Sequence, residues 1–354
     1  RDKVILSALG SPDRRQIDGL GGGSTSTSKV AIIQKSTRPD ADVDYDFGQV
    51  DLLAPIVGKT MNCGNISSAV GPFAVDERIV DPVELFTTVR IYNRNTDKMI
   101  IATVPVKDGT AMTEGDFSID GVPGTGAKIS LDFVKPQGAV SGVLLPTGNA
   151  KDYIEIAGRT YAYSLVDAAN PVVFVHPEDF GVTGTEIPSE FHALPNCSCI
   201  CKTLEIIRGT CAIRLGLAKD LEDARCNSQT LPKIAFISTP RAYTAGSGKY
   251  ISAEQIDCVG RLFSMNMKMI DAYMGTGTIC TIVAANTPGT IVNELLCGTD
   301  TAKPVPQLRI GHPWGVIETS VKYDTDSNGT RTIYSARLDR TARRIMDGYV
   351  YVRG

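Results

Sequence analysis

Short segments rich in β-branched residues, each bounded by Gly, Pro, Asn or Asp, constrain the fold of this chain more than any other feature. They include KVAIIQKS, TTVRIYNRNT, KMIIATVPV, AKISLDFV, SGVLLP, YIEIAGRTYAYSLV and VVFVHP, and they return in LPKIAFIS and from QLRIGHPWG to the C-terminus. Residues of this type and spacing are typical of β-strands. Two segments have helical spacing instead, CKTLEIIRGTCAIRLGLAKDLEDAR and SAEQIDCVGRLFSMNMKM, and the second opens on a Ser-x-x-Gln capping box. The pattern predicts an α+β chain in which antiparallel sheets dominate.

Two further segments resemble each other in design. GKTMNCGNISSAVGPFAVDERIV and YMGTGTICTIVAANTPGTIVNELL each pass from a loop of small residues into an apolar helix. A helix that is apolar on all sides must be buried. Because 354 residues exceed the usual size of one core, we predict two pseudo-repeated domains, each with a sheet around one buried helix. The predicted domains are residues 1–150 with a C-terminal strand at 340–354, and residues 151–339.

Charge and composition exclude several classes of function. The net charge of −3 and the lack of a long basic stretch argue against a nucleic-acid partner. No apolar segment approaches the roughly 20 residues that span a bilayer, so we expect no membrane partner. Nine cysteines without a regular framework suit a reducing compartment, and we expect a cytoplasmic protein. The NCSCIC cysteines (Cys197, Cys199 and Cys201) lack a fourth metal ligand at standard spacing, so we expect free thiols in a loop or strand, no metal and no cofactor.

Cys63 stands where the first apolar helix is predicted to begin, in NCGN. A helix N-terminus offers free N–H groups and partial positive charge, which favour a thiolate or a bound carboxylate. Gly64 permits close approach, and Asn62 and Asn65 add hydrogen-bond donors. A buried structural cysteine is the alternative interpretation, but the combination of Cys, Gly and Asn at a helix entry favours a functional site.

Lys29 follows the segment GGGSTSTS, whose amides and hydroxyls can hold an anion. A lysine that enters an apolar strand loses hydration and is a candidate general base. A surface lysine on a solvated strand face is the alternative interpretation. The P-loop pattern and the Rossmann fingerprint are both absent from the sequence. The loop residues expected to contact a carboxylate substrate are Gly22, Gly23, Ser24, Thr25 and Ser26.

The second helix entry, MGTGTICT, again places small and polar residues at the start of an apolar helix. Thr276, Gly277 and Thr278 present amides and hydroxyls that suit a carboxylate. Cys280 lies about one turn inside the predicted helix, where its thiol is expected to be packed.

The C-terminal region adds cationic candidates. Arg309, in RIGHPWG, can clamp a carboxylate through paired N–H groups. His312 is expected to be a satisfied turn histidine. A solvated basic face is expected for three arginines: Arg340, Arg343 and Arg344.

Taken in order, many motifs of this chain resemble the PrpF-type proteins, which are isomerases and tautomerases of unsaturated di- and tricarboxylates. The motifs include QIDGLGGGSTSTSKVAII, DVDYDFGQV, NCGNISSAVGPFAV, TGTICTIVAANTPGTIVNE and RTARRIMDGYVYV. The resemblance runs from near residue 10 to the end and is weaker at about 190–230. It implies the fold of diaminopimelate epimerase, in which two similar domains each roll an antiparallel sheet around a central helix and the active site lies in the cleft between them.

The resemblance also implies a mechanism. In that epimerase each helix entry carries a catalytic cysteine; Cys63 matches the first, but Met274 stands at the second position. A thioether cannot shuttle protons, so the resemblance implies that Lys29 supplies the base, with Cys63 as its partner acid or second base. The implied reaction is a cofactor-independent allylic 1,3-proton shift in a tricarboxylate such as aconitate or 2-methylaconitate.

Two other functions stay open at this point. The first is a racemase or epimerase of an amino or hydroxy acid, and the second is a non-catalytic, carboxylate-binding accessory protein. A homodimer is compatible with the sequence. PrpF-type proteins also carry an upstream segment similar to RGGTSKG that lines the site, and since no such string occurs here, we expect some substrate contacts to lie outside this chain.

Overall fold

The structure, a computed structural model, describes residues 1–59, 61–325 and 331–352. The chain forms two compact units. The first contains residues 1–117, 125–131 and the chain from 340 onward, and the second contains residues 118–124 and 132–339. The domain boundary at residue 150 and the internal duplication stay predictions.

The first unit combines short helices with a mixed sheet. Its helices are α1 (Asp2–Leu9), α2 (Gly64–Ser67) and α3 (Val70–Asp76). Its strands are β1 (Lys29–Lys35), β2 (Val43–Val50), β3 (Val57–Gly58), β4 (Leu85–Asn93), β5 (Lys98–Lys107) and β6 (Thr110–Ala111). The strand order is β1-β2-β4-β5, with β2 and β4 parallel and the other pairs antiparallel. A further strand, β7 (Ile129–Val134), begins in this unit and ends in the second.

Alternation along β1 gives the strand two different faces. Val30 and Ile32 pack with Ile5 of α1 on one face. Lys29 and Ile33 point to the other face, because they alternate with Val30 and Ile32. Helices α2 and α3 contact β1. Lys29 pairs with Gln49 and therefore stands at the start of the ladder between β1 and β2.

The second unit has a longer mixed sheet and larger helices. Its helices are α4 (Pro188–His192), α5 (Cys197–Arg214), α6 (Leu221–Asn227), α7 (Gly275–Ala285) and α8 (Ile291–Cys297). Its main strands, in spatial order, are β18 (Arg331–Arg340), β17 (Gly315–Thr325), β16 (Gln307–His312), β14 (Cys258–Ser264), β11 (Lys233–Ser238), β10 (Asn170–Val175), β9 (Arg159–Ala168) and β8 (Asp152–Ile156). Smaller strands are β12 (Tyr243–Thr244), β13 (Tyr250–Ile251) and β15 (Lys268–Met269).

Strand β10 of this unit is covered by helices α5 and α7. Val173 and Val175 pack in one core cluster with Leu204 and Ile207 of α5. Helix α7 also contacts β10, and every residue of α7 is buried. Since β10 is fully buried along its length, its sequence reads as a continuous apolar run instead of an alternation.

Three predicted elements were wrong. The segment SAEQIDCVGRLFSMNMKM is not a helix: its capping box, formed by Ser252 and Gln255, caps only a single 3₁₀ turn, and β14 follows. The segment SGVLLP is not a strand: the Ser141 N–H donates to the Asp167 side-chain carboxylate, and the residues adopt bends and turns in place of a strand ladder. The stretch after β18 contains no strand within residues 341–352.

The first apolar helix also differs from its prediction. The chain forms α2 and α3 in place of one helix, and Phe73 of α3 is 40% exposed. The second apolar helix, α7, is buried as predicted. Among the described residues, no helix is both long and apolar enough to cross a bilayer.

The turn between β16 and β17 carries the single tryptophan of the sequence, Trp314. Its side chain packs close to the backbone of Gly121 and Gly246, where an added Cβ would lie 3.4 Å from tryptophan atoms. The backbone N–H of Trp314 donates to Nδ1 of buried His312 at 3.3 Å, in agreement with the expectation of a satisfied turn histidine.

Candidate active site

Lys29 and Cys63 meet in the first unit. The Nζ atom of Lys29 lies 3.4 Å from Sγ of Cys63, within hydrogen-bonding distance for sulfur. Lys29 is half-buried at the start of β1, and Cys63 is 7% exposed just before α2. A primary amine and a thiol in contact form a pair of groups that can each hold or release a proton.

The residues around Cys63 fix its backbone. Cys63 is the N-cap of α2 and has extended φ and ψ angles of −125° and 106°. The Cys63 N–H donates to Oδ1 of Asn62 at 2.7 Å, and the Ser67 hydroxyl lies 2.9 Å from the Cys63 carbonyl oxygen and 3.2 Å from the same Asn62 oxygen. Asn62 therefore accepts through its Oδ1 at the helix entry, and its predicted role as a donor to a substrate stays a prediction.

Asn65 and Gly64 complete this entry. Gly64 is buried and Asn65 is exposed. The Arg340 Nε donates to Oδ1 of Asn65 at 3.0 Å, and Arg340 is only 8% exposed. The expectation that Arg340 lies on a solvated face was wrong, because the chain returns to the first unit at this residue and packs the guanidinium beside α2.

Hydrogen bonds to buried Gln16 and between its own hydroxyls fix the loop before Lys29. Gln16, 2% exposed, accepts from the Gly23 N–H at 2.9 Å and from the Ser28 hydroxyl at 2.6 Å through its Oε1. The Ser24 hydroxyl lies 2.9 Å from the Thr27 hydroxyl. The remaining predicted loop contacts, Gly22, Thr25 and Ser26, are exposed. Glutamine has no sequence signature for this role, so Gln16 was not predicted.

The other predicted binding residues lie in the second unit. Thr276, Gly277 and Thr278 occupy the first turn of α7 and are buried. The Thr276 hydroxyl accepts from Nδ2 of Asn170 at 2.9 Å, and the Thr278 hydroxyl donates to the carbonyl of the residue before the helix at 3.0 Å. Both hydroxyls thus have internal partners, and their role in binding a carboxylate stays a prediction.

Arg309 is also engaged. Its Nη2 lies 2.8 Å from Oδ1 of Asp257, and its Nη1 donates to the Glu254 carbonyl at 2.9 Å. The hydrogen bond from Asp257 raises the pKa of Arg309 above its ordinary value. A carboxylate substrate would have to compete with Asp257, and the assignment of Arg309 as a clamp stays a prediction.

The NCSCIC cysteines lie on a helix, so the expectation of a loop or strand was wrong. They form the first turns of α5, where Sγ of Cys197 lies 3.9 Å from Sγ of Cys201 and Cys199 is exposed. Burial and then the neighbouring Cys197 raise the pKa of Cys201 to about 12. No cluster of three or more metal-ligating side chains occurs within residues 1–59, 61–325 and 331–352.

The family model described as "PrpF protein" matches residues 1–353. The chain belongs to the PrpF family. It is 47% identical to the 3-methylitaconate isomerase of Eubacterium barkeri over 353 residues, which covers 99% of this chain and 90% of that protein. It is 38% identical to the 2-methyl-aconitate isomerase of Shewanella oneidensis, with 99% and 89% covered.

Solved structures agree with membership in the PrpF family. A crystal structure of methylitaconate-delta-isomerase superposes with a TM-score of 0.82 at 46% identity and covers 99% of this chain and 88% of that one. A probable proline racemase from Agrobacterium radiobacter superposes at a TM-score of 0.50 and 12% identity, covering 98% of this chain and 80% of that one, which shows likeness of fold alone. This PrpF-family chain is therefore an isomerase with a mixed α/β, racemase-like fold.

Proposed function

We propose that the protein catalyses an allylic 1,3-proton shift in an unsaturated di- or tricarboxylate, with Lys29 as the base and Cys63 as its partner. The observation that carries the proposal is the 3.4 Å contact between Lys29 Nζ and Cys63 Sγ. The names of the relatives, methylitaconate and methylaconitate isomerases, support an unsaturated acid as the substrate class. Aconitate and 2-methylaconitate are the two candidates that the family resemblance implies.

The chemistry needs a proton to leave the carbon γ to a carboxylate and a proton to return at the α carbon. In the proposed reaction the unprotonated amine of Lys29 takes the γ proton, and the double bond moves as charge spreads onto the carboxylate oxygens. The α carbon then receives a proton from the Lys29 ammonium or from the Cys63 thiol. General acid–base groups of this kind typically contribute about 10²–10⁴-fold to rate.

The dienolate formed between the two steps carries its charge on carboxylate oxygens, which cationic and N–H donors stabilise. In the first unit Arg340 is held beside α2 by its bond to Asn65, and the glycine-rich loop precedes Lys29 directly. We propose these groups as the carboxylate contacts of the site, together with Gly64 and Asn62 at the helix entry.

Met274 favours this reaction over two-thiol racemisation. It is the N-cap residue of α7, the position at which the resemblance to the epimerase implies a second thiol. A thioether has no proton to exchange, so a racemase that uses one thiol on each face of its substrate would lack one of them.

Proton NMR in D₂O tests the proposal. The protein is incubated in turn with cis-aconitate, trans-aconitate, 2-methylaconitate and methylitaconate, and we expect one acid to gain deuterium as its double bond moves. Exchange with inversion and no double-bond movement would point to an epimerase, and binding without exchange to an accessory protein; either result would overturn the proposal.

Variants test the residue assignments with the acid that reacts. Lys29→Met and Cys63→Ser are each expected to lower kcat by about 10²-fold or more. Lys35→Met is the matched control, because Lys35 ends the same strand and is exposed. Turnover by Lys29→Met at the rate of the control would refute the assignment of Lys29 and leave the isomerase activity standing.

A further inference from the structure

A buried phenol in β2 lies on the same side of the sheet as Lys29. Tyr45 of β2 is fully buried, yet its hydroxyl has no well-formed hydrogen bond within the described part of the chain. A buried polar group without a partner costs free energy, so native proteins rarely keep one without a use.

The strand register directs this phenol toward the site. Tyr45 pairs with Ile33, and Lys29 pairs with Gln49, in the antiparallel ladder of β1 and β2. Paired residues share a face and residues four apart on one strand share it too, so Tyr45 and Lys29 point to the same side of the sheet. Helix α2, which Cys63 precedes, contacts β1.

The electrostatics agree with that placement. Burial raises the pKa of the Tyr45 phenol well above its ordinary value; the Ser67 hydroxyl opposes the shift, and the proximity of Cys63 increases it. The phenol therefore stays protonated near neutral pH. It can donate one hydrogen bond toward the group formed by Ser67 and Cys63.

Ser67 can receive that bond. Its hydroxyl hydrogen has two acceptors within reach, the Cys63 carbonyl at 2.9 Å and Oδ1 of Asn62 at 3.2 Å. The lone pairs of the same oxygen remain for a donor. A small shift that brings the Tyr45 hydroxyl oxygen into hydrogen-bonding geometry with the Ser67 oxygen would complete a chain from the phenol through Ser67 to the backbone that carries the Cys63 thiol.

We propose that Tyr45 is a positioning residue of the active site, which holds Ser67 and Cys63 in the geometry that faces Lys29. The proposal rests on the proposed function for its kinetic consequence, but its geometric part concerns the Cys63 thiol alone.

Tyr45→Phe separates the two roles, because it deletes one oxygen and keeps the ring. We expect kcat for the proton shift to fall about tenfold with KM unchanged, because the hydroxyl that faces Ser67 and Cys63 is lost. We expect the urea midpoint of unfolding to stay the same or rise, since a buried unpaired hydroxyl is removed. Tyr92→Phe is the matched control, since the Tyr92 hydroxyl bonds to Asp97 in an exposed turn.

A second variant and a substrate-free measurement keep the test independent of the reaction. Ser67→Ala should lower kcat similarly, and the double variant Tyr45→Phe/Ser67→Ala should lose little more, as expected for two members of one chain. The rate at which iodoacetamide alkylates Cys63 should change severalfold in Tyr45→Phe and stay unchanged in Tyr92→Phe, whether or not an isomerase substrate is known.

Three results would overturn the proposal. These are an alkylation rate of Cys63 in Tyr45→Phe equal to that of the control, losses in the double variant that simply add, and a Tyr45→Phe protein that unfolds at markedly lower urea. If the protein isomerises none of the acids but the alkylation rate still changes as expected, the positioning role stands and the proposed function alone fails.

Discussion

Gly71 allows a sharp test of how the fold positions Cys63 relative to Lys29. This glycine lies on the face of α3 that packs on β4 and β5, where an added Cβ would lie 2.7 Å from Cγ2 of Val104 and 3.1 Å from Cβ of Ala102. Ordinary contact begins at 3.4 Å. Both neighbours are fully buried, so Gly71→Ala requires α3 to move away from the sheet by about 0.7 Å, the difference between 3.4 and 2.7 Å.

The effect on stability is expected to be small. Replacing glycine by alanine inside a helix stabilises it by about 1 kcal/mol, while overpacking a core costs about 1–3 kcal/mol. The net loss in the free energy of unfolding is therefore about 0–2 kcal/mol.

The effect on activity is expected to be larger. Two residues separate α2 from α3, so a shift of α3 moves the helix entry that holds Cys63 relative to Lys29. A misplacement of about 1 Å can cost about 10²-fold in rate. For the 0.7 Å shift we expect kcat to fall about 10- to 100-fold.

Proton NMR of the isomerised acid and urea unfolding measure the two effects in parallel. The double variant Gly71→Ala/Val104→Ala removes the 2.7 Å contact and should recover most of kcat, while Val104→Ala alone reports the effect of the cavity. Full activity of Gly71→Ala, or no recovery in the double variant, would show that the spacing between α3 and the sheet does not control the site.

Three further predictions concern stability. Arg261→Met should lower the free energy of unfolding by about 2–4 kcal/mol in urea titrations, because this fully buried guanidinium donates to four backbone carbonyls, among them those of Thr185 and Glu186 at 2.7 Å; an unchanged midpoint would contradict it. Thr290→Ala should cost about 1 kcal/mol, since the Thr290 side chain caps α8, and Thr290→Ser should restore most of that loss. Burial opposes a low pKa at Asp42, but the hydrogen bonds and charge of Arg90 prevail and lower it below the ordinary 3.8. The stability that Asp42 contributes is therefore complete above about pH 4 and lost as the pH falls through its lowered pKa, so the difference between wild type and Asp42→Asn should shrink in acid.

Much of the fold could be predicted because most strands are short runs of β-branched residues bounded by Gly, Pro, Asn or Asp. Segments such as KVAIIQKS and VVFVHP became β1 and β10, and the all-apolar α7 proved buried. The strand β14 was missed because it is buried on both faces, which removes the alternation that distinguishes a strand from a helix. Ser252 and Gln255 do form the predicted capping box, but a local cap cannot extend a helix into residues that pair with β11.

The residues of the candidate site also differ in whether the sequence signals their role. The contact between Lys29 and Cys63 joins residues 34 apart, and it was expected only because the family resemblance supplied the pairing. Gln16, Tyr45 and Arg340 left no such signal. The role of each depends on the polar group that it faces in the folded chain. Strand register sets that neighbour for Tyr45, and the return of the chain to the first unit sets it for Arg340, which bonds to Asn65.

The location of Trp314 has a practical consequence for denaturation experiments. As the single tryptophan of the chain, it gives an intrinsic fluorescence signal that reports the second unit, beside Gly121 and Gly246, and is silent on the first. Far-ultraviolet circular dichroism follows both units. If the two signals change at different urea concentrations, the unit that holds Lys29 and Cys63 melts in a separate transition, and the fluorescence midpoint alone would misstate the stability of that unit.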